Sequence, residues 1–305
     1  MLAYAIRRVL LIIPLLWAVA TITFFLMHGI AGGPFDQDKP LSAEARARLN
    51  ERYDLDGTLV TQYGHYMVNL VQGDLGISFN NDREITAIIR ERLPISLQLG
   101  VCAFLFACTL GLTLGAVAAI NQNGVGDYIG VFLATAGAAL PSFVLSPLLV
   151  VVFALKLNWF DVLGWELWNY HKMVLPMVSL GLLPAAFIAR ISRASMLDIL
   201  RQDYIRTARA KGLTELAVLL RHAAKNALIP VLTVLGPIFA GLVTGSFIVE
   251  RAYSIPGLGR TFVESVLVRD YGLIMGVTLF FAIVIAGMNL FVDLLYAAAD
   301  PRIRL

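Results

Sequence analysis

Charge is scarce in this chain. Only 15% of its 305 residues are Asp, Glu, Lys or Arg, while 58% are hydrophobic; soluble globular proteins carry about one quarter charged residues. Long stretches hold no charge at all, as expected of a chain solvated by lipid, where an ionised side chain is costly. Cysteine is nearly absent. Cys102 and Cys108 share one apolar stretch, which excludes a disulfide framework, and with no His or acid beside them they form no metal site. Both read as small buried apolar residues. Of the five lysines, none is followed by Ser or Thr, so there is no Walker A loop. H-E-x-x-H and G-x-S-x-G patterns are missing as well. No catalytic residue, metal site or bound cofactor is therefore expected on this chain. The net charge of +3 makes no case for nucleic acid.

What is there is a series of long apolar runs. Six candidate spans can be drawn: Val9–Met27, Ile95–Ile120, Tyr128–Leu155, Met173–Ile191, Ala227–Val249 and Leu273–Ala298. Each is about 20 residues or longer, enough to cross a bilayer as a helix. Ala18-Val19-Ala20 resembles a signal-peptidase site, but apolar residues run on through Phe24, Phe25 and Leu26. That length favours a retained span over a cleaved leader. The expected fold is an all-α integral membrane protein. Residues 1–30 form the first span, 31–94 a small extracytoplasmic subdomain, and 95–305 a five-helix core with a loop at 192–226.

In the 31–94 stretch, turns are predicted at Gly33-Pro34, Asp56-Gly57 and Gly73-Asp74. Ser42 is placed to cap a helix through Tyr53. Leu59, Tyr63, Tyr66, Met67 and Leu70 recur at helical spacing. Within the spans, Gly111…Gly115 and Gly241…Gly245 have the small-xxx-small spacing of close helix contacts. The membrane interiors lack the buried acids and bases of an ion-coupled carrier. Asp293, near the inner end of the last span, reads as a helix-end acid paired with an arginine. His28, His65, His171 and His222 are scattered, and read as interface or loop residues.

Orientation follows from basic residues in short loops. With a cytoplasmic N-terminus, twelve Lys and Arg lie inside and five in the short outside loops. Both termini are then cytoplasmic, and so is the loop at 192–226.

That loop is the most informative segment. From Asp203 the loop reads as a short helix ending at Gly212, where glycine takes the left-handed cap. Thr214 then caps a second helix with Leu216, Leu219, Leu220 and Ala223 on one face. Ala208 and Ala210 are small enough to let another protein approach the backbone. A basic loop touching anionic lipid is the plainer alternative, but it needs neither the alanines nor the turn.

At this point the chain resembles a known family. The loop is similar to the EAA loop that permeases of peptide/nickel-type bacterial ABC importers dock into their ATPases. The resemblance extends to Arg7-Arg8, to Gln72-Gly73-Asp74-Leu75-Gly76, to Ile255-Pro256-Gly257-Leu258-Gly259-Arg260, and to Asn289…Asp293…Tyr296…Asp300-Pro301-Arg302-Ile303-Arg304. Ala31 to Phe35, Leu140 to Phe143 and Thr244 to Ser246 are most like the B-type subunits of oligopeptide permeases. Arg206 stands where many importers of other substrates have a glutamate, so a glutamate-based salt bridge to the ATPase is not part of the expectation.

The resemblance implies a type I ABC importer transmembrane domain in the bacterial inner membrane. It implies as partners a paralogous permease, two ATPase subunits that hold ATP and Mg, an extracytoplasmic peptide-binding protein and membrane lipid. Arg206, Thr207, Ala208, Arg209, Ala210, Lys211, Gly212 and Leu213 would form the ATPase-coupling loop. Gly73, Asp74, Pro256, Gly257, Leu258 and Gly259 are candidates for a gate or binding-protein contact, although Pro-Gly-Leu-Gly is also plain turn chemistry. Dipeptides, glutathione or nickel are alternative cargoes, and a passive or ion-coupled carrier is the reading from a different class.

Overall fold

The computed structural model describes residues 2–29, 44, 48, 53 and 55–299, with backbone alone for 2–5, 138 and 292–299. The turn at Gly33-Pro34, the motif at 31–35, all but residues 44, 48 and 53 of the helix expected from Ser42 to Tyr53, residues 300–304 and the side chain of Asp293 lie outside the described residues. In chain order the helices are α1 (Leu2–Gly29), α2 (Leu59–Val71), α3 (Ile85–Ile120), α4 (Val125–Ala139) and α5 (Ser142–Leu149). After a π-helical turn (Val150–Lys156) come α6 (Tyr170–Leu200), α7 (Asp203–Ala210) and α8 (Glu215–Ala217). A second π-helical turn (Val218–Ala223) leads into α9 (Ala224–Val243), then α10 (Phe247–Ala252), α11 (Leu258–Leu267) and α12 (Tyr271–Ala299). Among the described residues, β structure is limited to one isolated antiparallel bridge between Ile77 and Glu84.

Five segments are long and apolar enough to cross a membrane, and a sixth if the bent pair of α4 and the helix from Ser142 counts as one. The number matches the sequence reading; the boundaries do not. α3 begins at Ile85, not Ile95, and runs through Pro94, since a helix tolerates proline where its freed carbonyl finds other partners. The span drawn from Tyr128 to Leu155 breaks at Leu140-Pro141. Leu140 is extended (φ −98°, ψ 111°), the conformation a following proline enforces, and the axis turns by 103°. The span drawn to Val249 ends at Val243, and Gly245 at φ +89° separates it from α10.

The chain divides into two compact units, residues 1–96 with 256–305 and residues 97–255. In the first, Ile85, Ile88 and Ile89 lie one helical turn apart and are buried with Leu258, Leu273, Val277 and Phe281. A second cluster joins Phe24 of α1 to Tyr271 and Met275 of α12, with Tyr63 and Tyr66 of α2 against it. The Thr21 hydroxyl lies 2.8 Å from the Tyr63 hydroxyl and ties α2 to α1. Asp270, only 1% exposed, holds the segment after α2 to the start of α12. Its carboxylate accepts from the Ser78 hydroxyl and from the amides of Phe79 (3.0 Å), Asn80 (3.3 Å) and Leu273 (3.1 Å).

In the second unit, α6 packs against α3, α4 and α9. A Cβ on Gly111 would lie 2.7 Å from the Ala185 carbonyl oxygen, and one on Gly115 2.6 Å from that of Ala189. Lipid tails are as apolar as leucine, so helices gain by such close van der Waals approach. The expected Gly241…Gly245 contact is different, since Gly241 faces open space. We expect Gly115→Val to destabilise the protein by about 3 kcal/mol through overpacking against backbone, and Gly241→Ala to be neutral. Melting temperatures of both variants in detergent check this; equal melting would refute the packing account. The half-buried Arg193 grips Asp127 through two 2.6 Å hydrogen bonds, joining α6 to the first turn of α4. Cys102 and Cys108 are free and half-buried rather than fully buried.

Candidate functional site

The segment from Asp203 to Ala223 builds its turn much as the sequence predicts. α7 ends at Ala210, Lys211 caps it, and Gly212 takes φ +78° while its amide donates to the Arg209 carbonyl at 2.9 Å. Few side chains tolerate that backbone region. The Thr214 hydroxyl accepts from the Ala217 amide at 3.4 Å and starts the next helix. Arg209 reaches across the turn to Glu215 with a pair of hydrogen bonds, 2.7 and 3.2 Å. Asn226 donates to the Tyr204 hydroxyl at 2.8 Å. The turn is held from both sides.

One expectation about faces changes. Ala208 does not point outward. It is buried with Ile205 against Ala119 of α3, Met196 of α6, Val218, Ala223 and Ala227 of α9. The face left exposed consists of Arg206, Thr207, Arg209, Ala210, Lys211, Gly212 and Leu213. On the apolar face of the next helix, Leu216 and Leu220 are exposed, at 67% and 65%. The buried residues are Val218, Ala223 and Ala227, a five-residue step followed by a four-residue one. The π-helical turn over Val218–Ala223 widens the repeat and rotates the inward face away from the α-helical stripe.

The remaining candidates fall in two places in the first unit. α2 ends on Gly73 at φ +82°, with the Gly73 amide on the Leu70 carbonyl (3.0 Å) and the Asp74 amide on that of Asn69 (2.9 Å). This double bond pattern closes a helix through a left-handed residue. Asp74 stays exposed and accepts from the Gly76 amide at 2.8 Å. Gly257, Leu258 and Gly259 are buried, and the Leu258 amide donates to the Ser96 hydroxyl at 2.8 Å. Pro256 is exposed; its carbonyl accepts from Arg92 at 3.3 Å. It borders a cavity of about 520 Å³ with Arg83, Arg260, Glu264 and Asp270. The two groups thus line separate cavities, Asp74 one and Pro256 the other.

Residues 1–100 match the family described as the N-terminal part of binding-protein-dependent transport system membrane components, and residues 111–305 match its inner membrane component. The chain belongs to this family. Over all 305 residues, and the whole of both chains, it is 43% identical to the oligopeptide transport system permease protein OppB of Escherichia coli K12. It is 40% identical over 303 residues to the dipeptide permease DppB of Bacillus subtilis 168, covering 99% of this chain and 98% of that one. The glutathione permease GsiC of Pectobacterium atrosepticum is 41% identical over 306 residues, 100% of this chain and 99% of that one. A chain of the MetNI methionine ABC transporter, in an inward facing conformation, superposes with a TM-score of 0.57 at 16% identity, covering 70% of this chain and 97% of that one. As a family member, the protein is a multi-pass inner-membrane permease subunit of an ABC importer with the type I transmembrane fold.

The inward anchors Ile205 and Ala208, the Arg209–Glu215 clamp and the Asp127–Arg193 pair are all features that sequence reading passed over. Ile205 carried a signal, as the one large aliphatic residue in a polar helix. The two ion pairs join residues six and 66 positions apart, outside any helical repeat.

Proposed function

We propose that this chain forms, with a paralogous permease, the path by which short peptides cross the inner membrane. Two partner ATPases that bind ATP and Mg drive it, and an extracytoplasmic binding protein feeds it. Both termini and the 192–226 loop face the cytoplasm, in keeping with the distribution of basic residues. The exposed face from Arg206 to Leu213 seats in an ATPase. One observation carries the mechanical part: Ile205 and Ala208 are sunk among residues of α3, α6 and α9. A displacement of α7 is therefore passed to three membrane helices at once, coupling a rigid-body closure in the ATPases to rocking of the bundle. Exposed Leu213, Leu216 and Leu220 add apolar surface next to the turn.

Oligopeptides are the favoured cargo because the oligopeptide relative aligns end to end at 43% identity. Relatives named for dipeptide and glutathione transport, at 40% and 41%, support a second reading in which the cargo is shorter. The test is reconstitution of the co-expressed four-component assembly in liposomes with the binding protein outside. ATP-dependent accumulation of labelled tri- to pentapeptides is expected, with none from this chain alone. Transport by the lone chain, or uptake indifferent to ATP, would end this reading; a preference for dipeptide or glutathione in competition would select the second one.

A further inference from the structure

Among the described residues, three buried side-chain polar atoms have no hydrogen-bond partner: Nε2 of His28, Oε1 of Gln62 and the hydroxyl of Tyr66. All three residues line one cavity of about 120 Å³ in the first unit. Buried polar atoms are nearly always satisfied, so three on one cavity describe the missing partner. The space is roughly ten times the minimum of ~10–15 Å³ that a single water needs.

The bonds already made nearby narrow what these atoms can accept or donate. The Gln62 amide nitrogen donates to the carbonyls of Leu55 and Gly57, both at 2.9 Å. That leaves the amide oxygen, an acceptor, without a partner on a residue that lines the cavity. His28 Nδ1 lies 2.8 Å from the Phe24 carbonyl; a carbonyl can only accept, so Nδ1 carries the proton. In the neutral ring Nε2 is then an acceptor too. The Tyr66 hydroxyl serves either way, and burial, with Tyr63 beside it, pushes its pKa up to about 12, so it stays protonated. Phe24, Tyr53, Phe79 and Tyr271 supply aromatic walls, no lysine or arginine lines the space among the described residues, and Asp74 borders it.

Two acceptors without a protein donor, a carboxylate and aromatic faces complement a compact cation rich in N–H groups. We propose that this cavity is a binding site for a primary ammonium group. Resting on the importer reading above, that group is one carried by the peptide, either its amino terminus or a lysine side chain. On the proposed topology the site lies at the outer end of α1, where peptides arrive. It also gives Asp74 a role that a turn alone does not require.

The test uses the full chain in its purified complex, with n-butylammonium as probe. 1-Butanol and tetramethylammonium, which lack the three N–H donors, are controls at matched ionic strength. Saturable thermal stabilisation by butylammonium alone is expected, and a change in the Nε2 signal of ¹⁵N-labelled His28 should saturate with it. Tyr66→Phe keeps the ring and removes a hydroxyl that has no protein partner, so it should fold and weaken binding at least about tenfold. Equal responses to all three probes, no response to any, or an unchanged affinity in Tyr66→Phe would overturn the ammonium site. Lysine-free peptides with a free amino terminus and acetylated peptides carrying one lysine then compete with the probe. Competition by either supports the peptide assignment and identifies the source; competition by neither overturns it. These readouts need no transport, so their failure is separate from a failure of ATP-driven uptake.

Discussion

Gly212→Val is expected to lower ATP-driven peptide uptake about tenfold or more while leaving the amount of protein in the membrane unchanged. Gly212 sits at φ +78° with nothing among the described residues within 4 Å of where a Cβ would stand, so the effect comes from backbone conformation and not from collision. A side chain in that region costs about 1–2 kcal/mol, and a β-branched residue there is a true outlier. That strain reduces the population of the intact turn by about 5–30-fold. Gly212→Asn, which enters this region readily, should stay near wild type, with Gly212→Ala between the two. Uptake and co-purification of the ATPases are measured side by side. Wild-type uptake by the valine variant would remove the turn from the coupling mechanism, whereas loss of all three variants from the membrane would mean a folding role.

Asp270→Ala should lower the stability of the first unit by about 3–4 kcal/mol, since each buried donor left unpaired costs about 1–3 kcal/mol and such costs do not fully add. Four donors lose their acceptor at once: the Ser78 hydroxyl and the amides of Phe79, Asn80 and Leu273. The first three belong to the segment after α2 and the last to the first turn of α12, so the substitution unfastens one from the other. Heating in detergent should show a melting temperature about 6–12 °C lower, and limited proteolysis should cut first near Ser78 to Asn80. Asp270→Asn keeps one acceptor oxygen and should fall between. A melting curve for the alanine variant within 1 °C of wild type would contradict the fastening role.

The spans were legible because lipid demands long uncharged runs, and the turn at Gly212 because glycine after a short polar helix has few other uses. Where α-helical periodicity meets a π-helical turn, the residues read as one face part company: Leu216 and Leu220 are exposed, while Val218 and Ala223 take the core. No sequence rule marks the extra residue of such a turn. Ala208 was misplaced for a related reason, since a small residue fits equally well under a helix or beneath a partner, and only its three-residue spacing from Ile205 puts it on the inner side. Pro94 reads as a boundary, yet α3 passes through it; Pro141 reads as internal to a span, yet the chain breaks there. A proline's effect depends on what its neighbours can supply to the freed carbonyl, which the sequence does not state. The acceptors around the small cavity were invisible for want of a motif, because His28, Gln62 and Tyr66 come from two separate helices.

The π-helical turn between α8 and α9 has one more consequence. A helix advances about 1.5 Å and turns about 100° per residue, so the surplus residue sets the compass bearing of Asp203–Ala210 relative to Ala224–Val243. Removing any single residue there would swing the exposed Arg206–Leu213 face by more than a quarter circle while shortening the rod by little more than a bond length. Chain length, more than side-chain identity, is what this stretch must preserve.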